Sequence, residues 1–284
     1  LFGAGLVRTP DDFGTRSEPP SHPELLDWLA ADFRDRGWSR KQLIRTIVTS
    51  ATYRQSSNAR PDLQDRDPNN TLLARQSRLR LPGELIRDSS LLASGLLTNQ
   101  IGGPSVMPPI PSGVMELSYA SRGWGVAWKE SQGADRYRRG LYIQFLRTTP
   151  YPLFVNFDAP KATVAACRRD RSNTPLQALN LLNDPVFLEA AQALALRTLT
   201  SPHADFAKRL DYAFQHSLGR TPILAEQQRL RRYYDQQQRL LADDVKAISE
   251  LAPTAAPGAT QLETAIWTGL SSILLNLDEF ITRE

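Results

Sequence analysis

The sequence predicts a mainly α-helical fold: a multi-helix, bundle-like domain with a small β hairpin and a long loop rich in proline and glycine. Two observations lead to this prediction. Apolar residues recur at three- and four-residue steps through most of the chain, which is the period of an amphipathic helix. Helix signals bracket these runs, because Ser39 with Gln42 forms a capping-box pattern at a start, and Gly37 and Gly219 mark ends.

Residues 168–199 contain the strongest helical pattern, and we predict that they form the centre of the core. Leu176, Leu179 and Leu182 recur at three-residue steps, so they share one helical face. Asp184 and Pro185 suit the N-cap and the first position of a second helix, which is rich in alanine. The segment is too apolar for a surface helix, so we expect it to be buried.

The remaining elements are predicted from local composition. Residues 141–146 and 153–157 are rich in aromatic and branched side chains, and we expect them to pair as the small hairpin. Residues 102–135 hold several prolines and glycines and form the long loop. We expect one mainly helical domain over residues 1–284, with a flexible connector at residues 252–259 before the last helix.

Bulk composition is that of a folded protein. Of the 284 residues, 41% are hydrophobic and 23% are charged, so the chain is not of the disordered class. Its apolar runs are far shorter than the roughly 20 residues that cross a bilayer, so we predict no membrane span. The single cysteine, Cys167, excludes an internal disulfide. The abrupt start at Leu1 reads like the interior of a longer protein, and we expect this chain to be the C-terminal part of one.

Basic residues are concentrated in two stretches. Residues 34–87 contain 12 basic and five acidic side chains, and residues 136–171 contain eight basic and two acidic ones. Such surfaces attract acidic ligands, anionic glycans or an acidic partner protein. The alternative is that the arginines form solvated faces or internal ion pairs.

A polar cluster in and before the central stretch is the main candidate site. Amides, carboxylates and a guanidinium together suit hydrogen bonding to a polyhydroxylated ligand or a carboxylate. The alternative is that buried amides tie loops to a helix and cap its ends. The residues are Asp158, Arg171, Thr174, Gln177, Asn180, Asn183 and Asp184.

Three aromatic side chains are further candidates for ligand binding. His22, beside Glu24 at a helix start, has no second histidine at a metal-binding spacing, so we predict no metal site. Trp124 and Trp128 lie in the long loop and could stack on a sugar or a partner, or anchor the loop to the core. No phosphate-binding loop, dinucleotide fingerprint or G-x-S-x-G motif occurs, so no catalytic residue is assigned.

Several ordered motifs carry a resemblance to a known family. The motifs are residues 1–14, 21–30, 53–57, 102–106, 157–160, 174–179, 182–184, 218–222 and 274–280. Together they extend over nearly the whole chain and resemble the planctomycete-type C-terminal domain of unknown function 1553, found in exported multidomain proteins.

The resemblance implies a context more than a chemistry. Related proteins commonly carry a cytochrome c-like segment and another domain upstream, so it implies export, for example to the periplasm, and partners in the same polypeptide. This chain lacks a Cys-x-x-Cys-His motif, so we expect no cofactor in it and a covalent haem, where present, on the upstream part.

Three functions remain open from the sequence. The leading hypothesis is an accessory or binding module that binds a partner domain or a glycan-like ligand. The second is an enzyme, polysaccharide-processing or redox, with a polar site around Asp158, Arg171, Gln177 and Asn183. The third and least favoured is an arginine-rich nucleic-acid binder, because no reader motif accompanies the charge.

Overall fold

The computed structural model describes residues 1–12, 14–114, 128–147, 149–161 and 164–283. They group into two compact units, one formed by Leu1–Arg80 with Thr282–Glu284 and the other by Leu81–Ile281. We call the first the N-terminal unit and the second the helical unit. That residues 1–284 form a single domain stays a prediction.

The N-terminal unit is small and has a thin core. Gly37 and Trp38 both take positive φ angles (67° and 62°) in the turn between its two helices, and Ser39 Oγ then accepts a hydrogen bond from Gln42 N (3.4 Å). Neither helix has a fully buried side chain. The regular elements are α1 (Pro23–Asp35), α2 (Arg40–Val48), β1 (Leu79–Arg80) and β2 (Thr282–Arg283), the last two paired antiparallel.

The helical unit contains the remaining helices of the described residues. They are α3 (Gly83–Ser94), α4 (Pro152–Asn156), α5 (Pro175–Asn183), α6 (Pro185–Leu199), α7 (Phe206–Leu218), α8 (Leu224–Leu240), α9 (Val245–Leu251), α10 (Gln261–Asn276) and α11 (Asp278–Ile281).

Helix α6 lies at the centre of the helical unit, where it packs against α3 and α10. Ala190, Ala191 and Ala195 are completely buried, and their small side chains let the neighbouring helices come close. Asp184 is the N-cap of α6 and accepts a hydrogen bond from Val186 N (3.0 Å), as predicted. The prediction of a buried central helix is confirmed for α6.

Helix α5 has the opposite orientation to the one predicted. The three leucines of the predicted face are exposed, with Leu176 at 61% and Leu179 and Leu182 at 53% each, whereas Gln177 (0%) and Asn180 (9%) are buried together with Leu181 (3%). The expectation that this leucine face lies in the core is therefore wrong. The amides face inward because their hydrogen-bond partners lie there, as the site shows below.

The fold class is confirmed, but the strands lie elsewhere than predicted. Helices dominate, and the described residues contain one small antiparallel sheet, formed by β1 and β2. The run 141–146 instead begins within a 3-10 turn, Gly140–Tyr142, and the run 153–157 falls largely in α4. Pro152 favours this outcome because proline suits the first turn of a helix. Gly140 also lies so close to α3 that a Cβ atom on it would be 2.9 Å from Glu84 Cα.

The described part of the long loop is fastened by backbone hydrogen bonds. Val106 N donates to Tyr142 O and Val106 O accepts from Gln144 N, both at 2.8 Å. The buried Arg138 guanidinium donates to the carbonyl oxygens of Pro104 (2.8 Å) and Gly102. These contacts show that the loop packs along the helical unit.

The predicted connector, residues 252–259, follows α9. Ala252 and Ala256 are buried, Ala256 N donates to Thr264 Oγ1 (3.0 Å), and Gln261 Nε2 donates to Ala252 O (2.8 Å). These contacts join both ends of the segment to α10. Its flexibility stays a prediction.

Candidate functional site

The site begins at Asp158, directly after α4. Its φ of 57° is in the left-handed region, which aspartate tolerates better than most residues. The carboxylate accepts hydrogen bonds from Ser172 N (2.7 Å) and Ser172 Oγ (2.8 Å). Asp158 therefore holds the segment that leads into α5 against the end of α4.

Amide side chains continue this contact through α5. Gln177 Nε2 donates to Asn156 O (2.9 Å) and to Ser172 Oγ (3.2 Å). Asn156 Nδ2 donates to Asn180 Oδ1, and Asn180 Nδ2 donates to Asp184 Oδ2, each at 3.0 Å. We call the connected set the amide network. Its members are Asn156, Asp158, Ser172, Gln177, Asn180 and Asp184.

One end of the amide network lies in a buried, charged environment. Burial raises the pKa of Asp184, although the hydrogen bonds from Val186 and Asn180 and the positive charge of Arg87 oppose the rise. Burial likewise lowers the pKa of Arg87 and raises that of Tyr151. Because no solvent reaches these groups, they act on the stability of the fold.

Arg87 also ties the segment that follows the long loop to α3. Its Nη1 and Nη2 atoms donate to the carbonyl oxygens of Arg138 (2.6 Å) and Arg136 (2.8 Å). On the next residue, Asp88 Oδ1 accepts from Gly140 N (2.6 Å). The buried charges of α3 are therefore bound to backbone groups, and they hold the backbone of residues 136–140 against this helix.

An open pocket of about 650 Å³ lies beside Asp158 in the helical unit. Its floor contains Phe154, which is buried, and its edge contains Phe145 and Val155. Four cations line this pocket: Arg147, Lys161, Arg168 and Arg169. We therefore call it the basic pocket.

The acidic residues at the basic pocket are already engaged. Asp158 is hydrogen-bonded to Ser172, and Asp170 lies 3.7 Å from Arg168. Arg169 pairs with Glu84 on α3 (2.9 Å). Arg147 and Lys161 are exposed at the rim, so the pocket presents net positive charge to a ligand.

The structure brings together only some of the predicted site residues. Asp158, Gln177, Asn180 and Asp184 share the amide network. Thr174 contributes its backbone oxygen, which accepts from Gln177 N (3.1 Å). Arg171 and Asn183 are exposed and lie outside the network, since Asn183 Nδ2 bonds only to Leu179 O (2.8 Å) in the described residues.

The three aromatic candidates have separate places. His22 lies in the N-terminal unit, where its Nδ1 is 3.0 Å from Ser21 Oγ. Trp128 donates from Nε1 to Pro108 O (2.9 Å) and stacks on Tyr151 at 5.8 Å, contacts that anchor the loop. Trp124 lies outside the described residues. Their roles in ligand binding stay predictions.

Sequence reasoning missed two members of the network, Asn156 and Ser172, and did not include the four cations of the basic pocket among the candidate site residues. Asn156 precedes the helical stretch 168–199 and Ser172 lies in it before α5, and only the fold brings both side chains to α5. Arg147 and Lys161 belonged to the basic stretch 136–171, which was a usable signal. Their distance along the chain from Arg168 hid the fact that they share one pocket.

The sequence comparisons place the chain in a family. Residues 1–234 match the model of the family described as PSD1: Protein of unknown function (DUF1553). The chain belongs to this family and is a module whose biochemical role that description leaves open. Neither the search of curated proteins nor that of solved structures gave a match.

Two structural searches bear on the function class. Among the helices of the described residues, none combines the length and the apolar composition needed to span a bilayer. Within the same residues, no three His, Cys, Asp or Glu side chains lie close enough together to hold a metal ion.

We predict that the side chain of Asp158 stabilises the fold and that the side chain of Arg171 does not. Asp158→Ala removes the acceptor for Ser172 and puts alanine at a left-handed φ, so the free energy of unfolding should fall by about 2 kcal/mol or more. Arg171→Ala changes an exposed side chain and should alter it by no more than about 0.5 kcal/mol. Urea denaturation of both variants measures this. Equal effects of the two changes would contradict the assignment.

We predict a specific pH dependence from Asp184. Its folded-state pKa is raised, so just above pH 3.8 the folded state binds more protons than the unfolded state, and stability falls as pH rises through that window. Asp184→Asn cannot ionise. The stability of the wild type minus that of the variant should therefore decrease from pH 3 toward neutrality, measured by urea denaturation at several pH values.

The matched control for this experiment is Asp205→Asn. Asp205 caps α7 through Ala207 N (3.1 Å) but is exposed, so its replacement controls for the loss of one N-cap carboxylate. A stability difference for Asp184→Asn that stays constant or increases with pH would show that burial does not govern this group.

Proposed function

We propose that the chain is an accessory binding module of an exported, haem-bearing multidomain protein, and that it holds a partner domain of that protein through α5. The observation that carries the proposal is the exposed leucine face, Leu176, Leu179 and Leu182. Single exposed apolar residues are ordinary, but three on one face of a nine-residue helix form a contiguous apolar patch.

The energetics favour a role for this patch. Burying one leucine side chain is worth about 1.5–3 kcal/mol, so the isolated fold forgoes a considerable stabilisation by turning three of them outward. The amide network fixes α5 in this orientation. A partner surface that covers the leucines would recover the stabilisation, and this supports docking at α5.

The charge next to α5 indicates the chemistry of the partner. Arg168, Arg169 and Arg171 are exposed in the segment that precedes the helix. A partner domain with an apolar centre and an acidic rim would complement this arrangement, since charge at a rim steers association and fixes orientation. In this proposal the covalent haem belongs to the upstream part of the polypeptide, because this chain has a single cysteine.

The docking surface is tested with a triple variant that combines Leu176→Ser, Leu179→Ser and Leu182→Ser. Binding of the intact chain to the separately produced upstream part of its polypeptide is measured by calorimetry, and we expect at least a tenfold loss of affinity. Because the leucines are exposed, the unfolding temperature should change by only about 2 °C.

Leu92→Ser is the matched control, since Leu92 is equally exposed (62%) but lies on α3. It should leave the affinity unchanged. Undiminished binding by the triple variant, or an equal loss with Leu92→Ser, would refute docking through α5.

The basic pocket favours a second candidate function, the binding of an anionic glycan-like ligand. Cations suit the carboxylates of acidic sugars, and the side chains of Phe145 and Phe154 offer apolar surface beside them. This reading also places Asp158 at a ligand site, where it would hold the pocket wall through Ser172.

For this candidate, the probes are trigalacturonate and a neutral galactose trisaccharide. We expect the intact chain to bind the acidic sugar more tightly, with an affinity that decreases as salt is raised. Arg147→Gln combined with Arg168→Gln should weaken it at least tenfold, whereas Arg229→Gln, an exposed change on α8, should not. Equal affinity for the two sugars would exclude the anionic ligand.

A further inference from the structure

The N-terminal unit contains a second pocket, of about 510 Å³. It is formed by three parts of the chain: residues 1–8, the facing sides of α1 and α2, and residues 69–77. This volume lies within the range of roughly 300–1,000 Å³ that is typical of small-molecule sites. Neither the docking surface on α5 nor the basic pocket uses these residues.

The body of this pocket is apolar. Phe2, Leu6, Leu29 and Ile47 line it and are only partly buried, and no side chain of α1 or α2 is fully buried. At the edge, Trp28 is 53% exposed. The helices therefore present an apolar concavity that their own packing does not fill, and it suits the apolar part of a ligand.

The polar groups of the pocket define the other end of such a ligand. Arg8 Nη2 donates to Thr71 Oγ1 (2.8 Å) and to Asn69 O (3.4 Å), which holds the guanidinium in place. His22 and Ser21 lie at the start of α1, a helix whose N-terminus no side chain caps. Both the cation and the helix N-terminus favour negative charge.

Charge complementarity selects the occupant. Among the residues that line the pocket, none is Asp or Glu, and Arg8 pairs with no carboxylate in the described part of the chain. Arg8 is exposed, so its guanidinium is accessible to a carboxylate, whereas a cationic ligand would be repelled. An apolar body with one carboxylate meets both the concavity and Arg8.

We propose that the pocket of the N-terminal unit binds an amphiphilic monocarboxylate. The apolar part of the ligand lies between α1 and α2, and its carboxylate is bound by Arg8. This site is independent of the docking surface on α5, so the two can be tested separately.

The experiment compares three ligands that share one apolar body: decanoate, decanol and decyltrimethylammonium. In calorimetric titration of the intact 284-residue chain, decanoate should bind with the highest affinity, decanol with a lower one, and the ammonium compound with the lowest. Arg8→Gln should weaken decanoate binding at least tenfold and leave decanol binding unchanged. Arg8→Lys keeps the charge and should retain the preference for decanoate over decanol.

Arg16→Gln is the matched control, because Arg16 is exposed in the same unit but does not line the pocket. It should leave all three affinities unchanged, and the thermal unfolding of each variant checks that it folds. The proposal is overturned by an absence of decanoate binding, by equal affinity for decanoate and decanol, or by full decanoate binding to Arg8→Gln. A concentration-dependent dimer that Leu72→Ser abolishes would assign the pocket to a second copy of the chain instead.

Discussion

The hydrogen bonds of Gln177 and Asn180 decide which face of α5 the protein buries. Their partners, Asn156, Ser172 and Asp184, lie on the inner side of the helix. If the leucines turned inward, these buried polar groups would lose their partners, at a cost of about 1–3 kcal/mol each. The two amides take part in four hydrogen bonds, and their loss would cost about as much as the burial of three leucines would gain, so the amide network is strong enough to hold the leucines outward. The exposed apolar face is thus a consequence of polar groups underneath it.

Buried polar groups also fix the structure around α3, where charged side chains hold neighbouring backbone segments in place. Arg138 binds carbonyl oxygens of the long loop, Arg87 binds those of the segment that follows it, and Asp88 accepts from the backbone amide of Gly140. Charge-assisted hydrogen bonds of this kind are strong inside a protein but lose value if either partner moves. These bonds hold the described backbone on either side of α3 in place. The basic pocket borders this framework through the ion pair of Arg169 with Glu84 on α3.

The two units offer different kinds of surface. The helical unit has a dense core around α6 and displays leucines and cations on its outside. The N-terminal unit has little core of its own and an apolar pocket that contains Arg8. In the proposed accessory role, the leucines of α5 would contact a partner domain and the two pockets would hold ligands.

The sequence by itself determined the helical class, the family and many helix ends, because periodicity, Asp184–Pro185 and Gly219 act locally. It also indicated the polar residues around α5. Tertiary structure alone decided that the amides point inward, that the run at 141–146 is not a strand, and that distant cations share a pocket. Each outcome depends on partners far apart in the chain, whose hydrogen bonds and packing outweigh local preference.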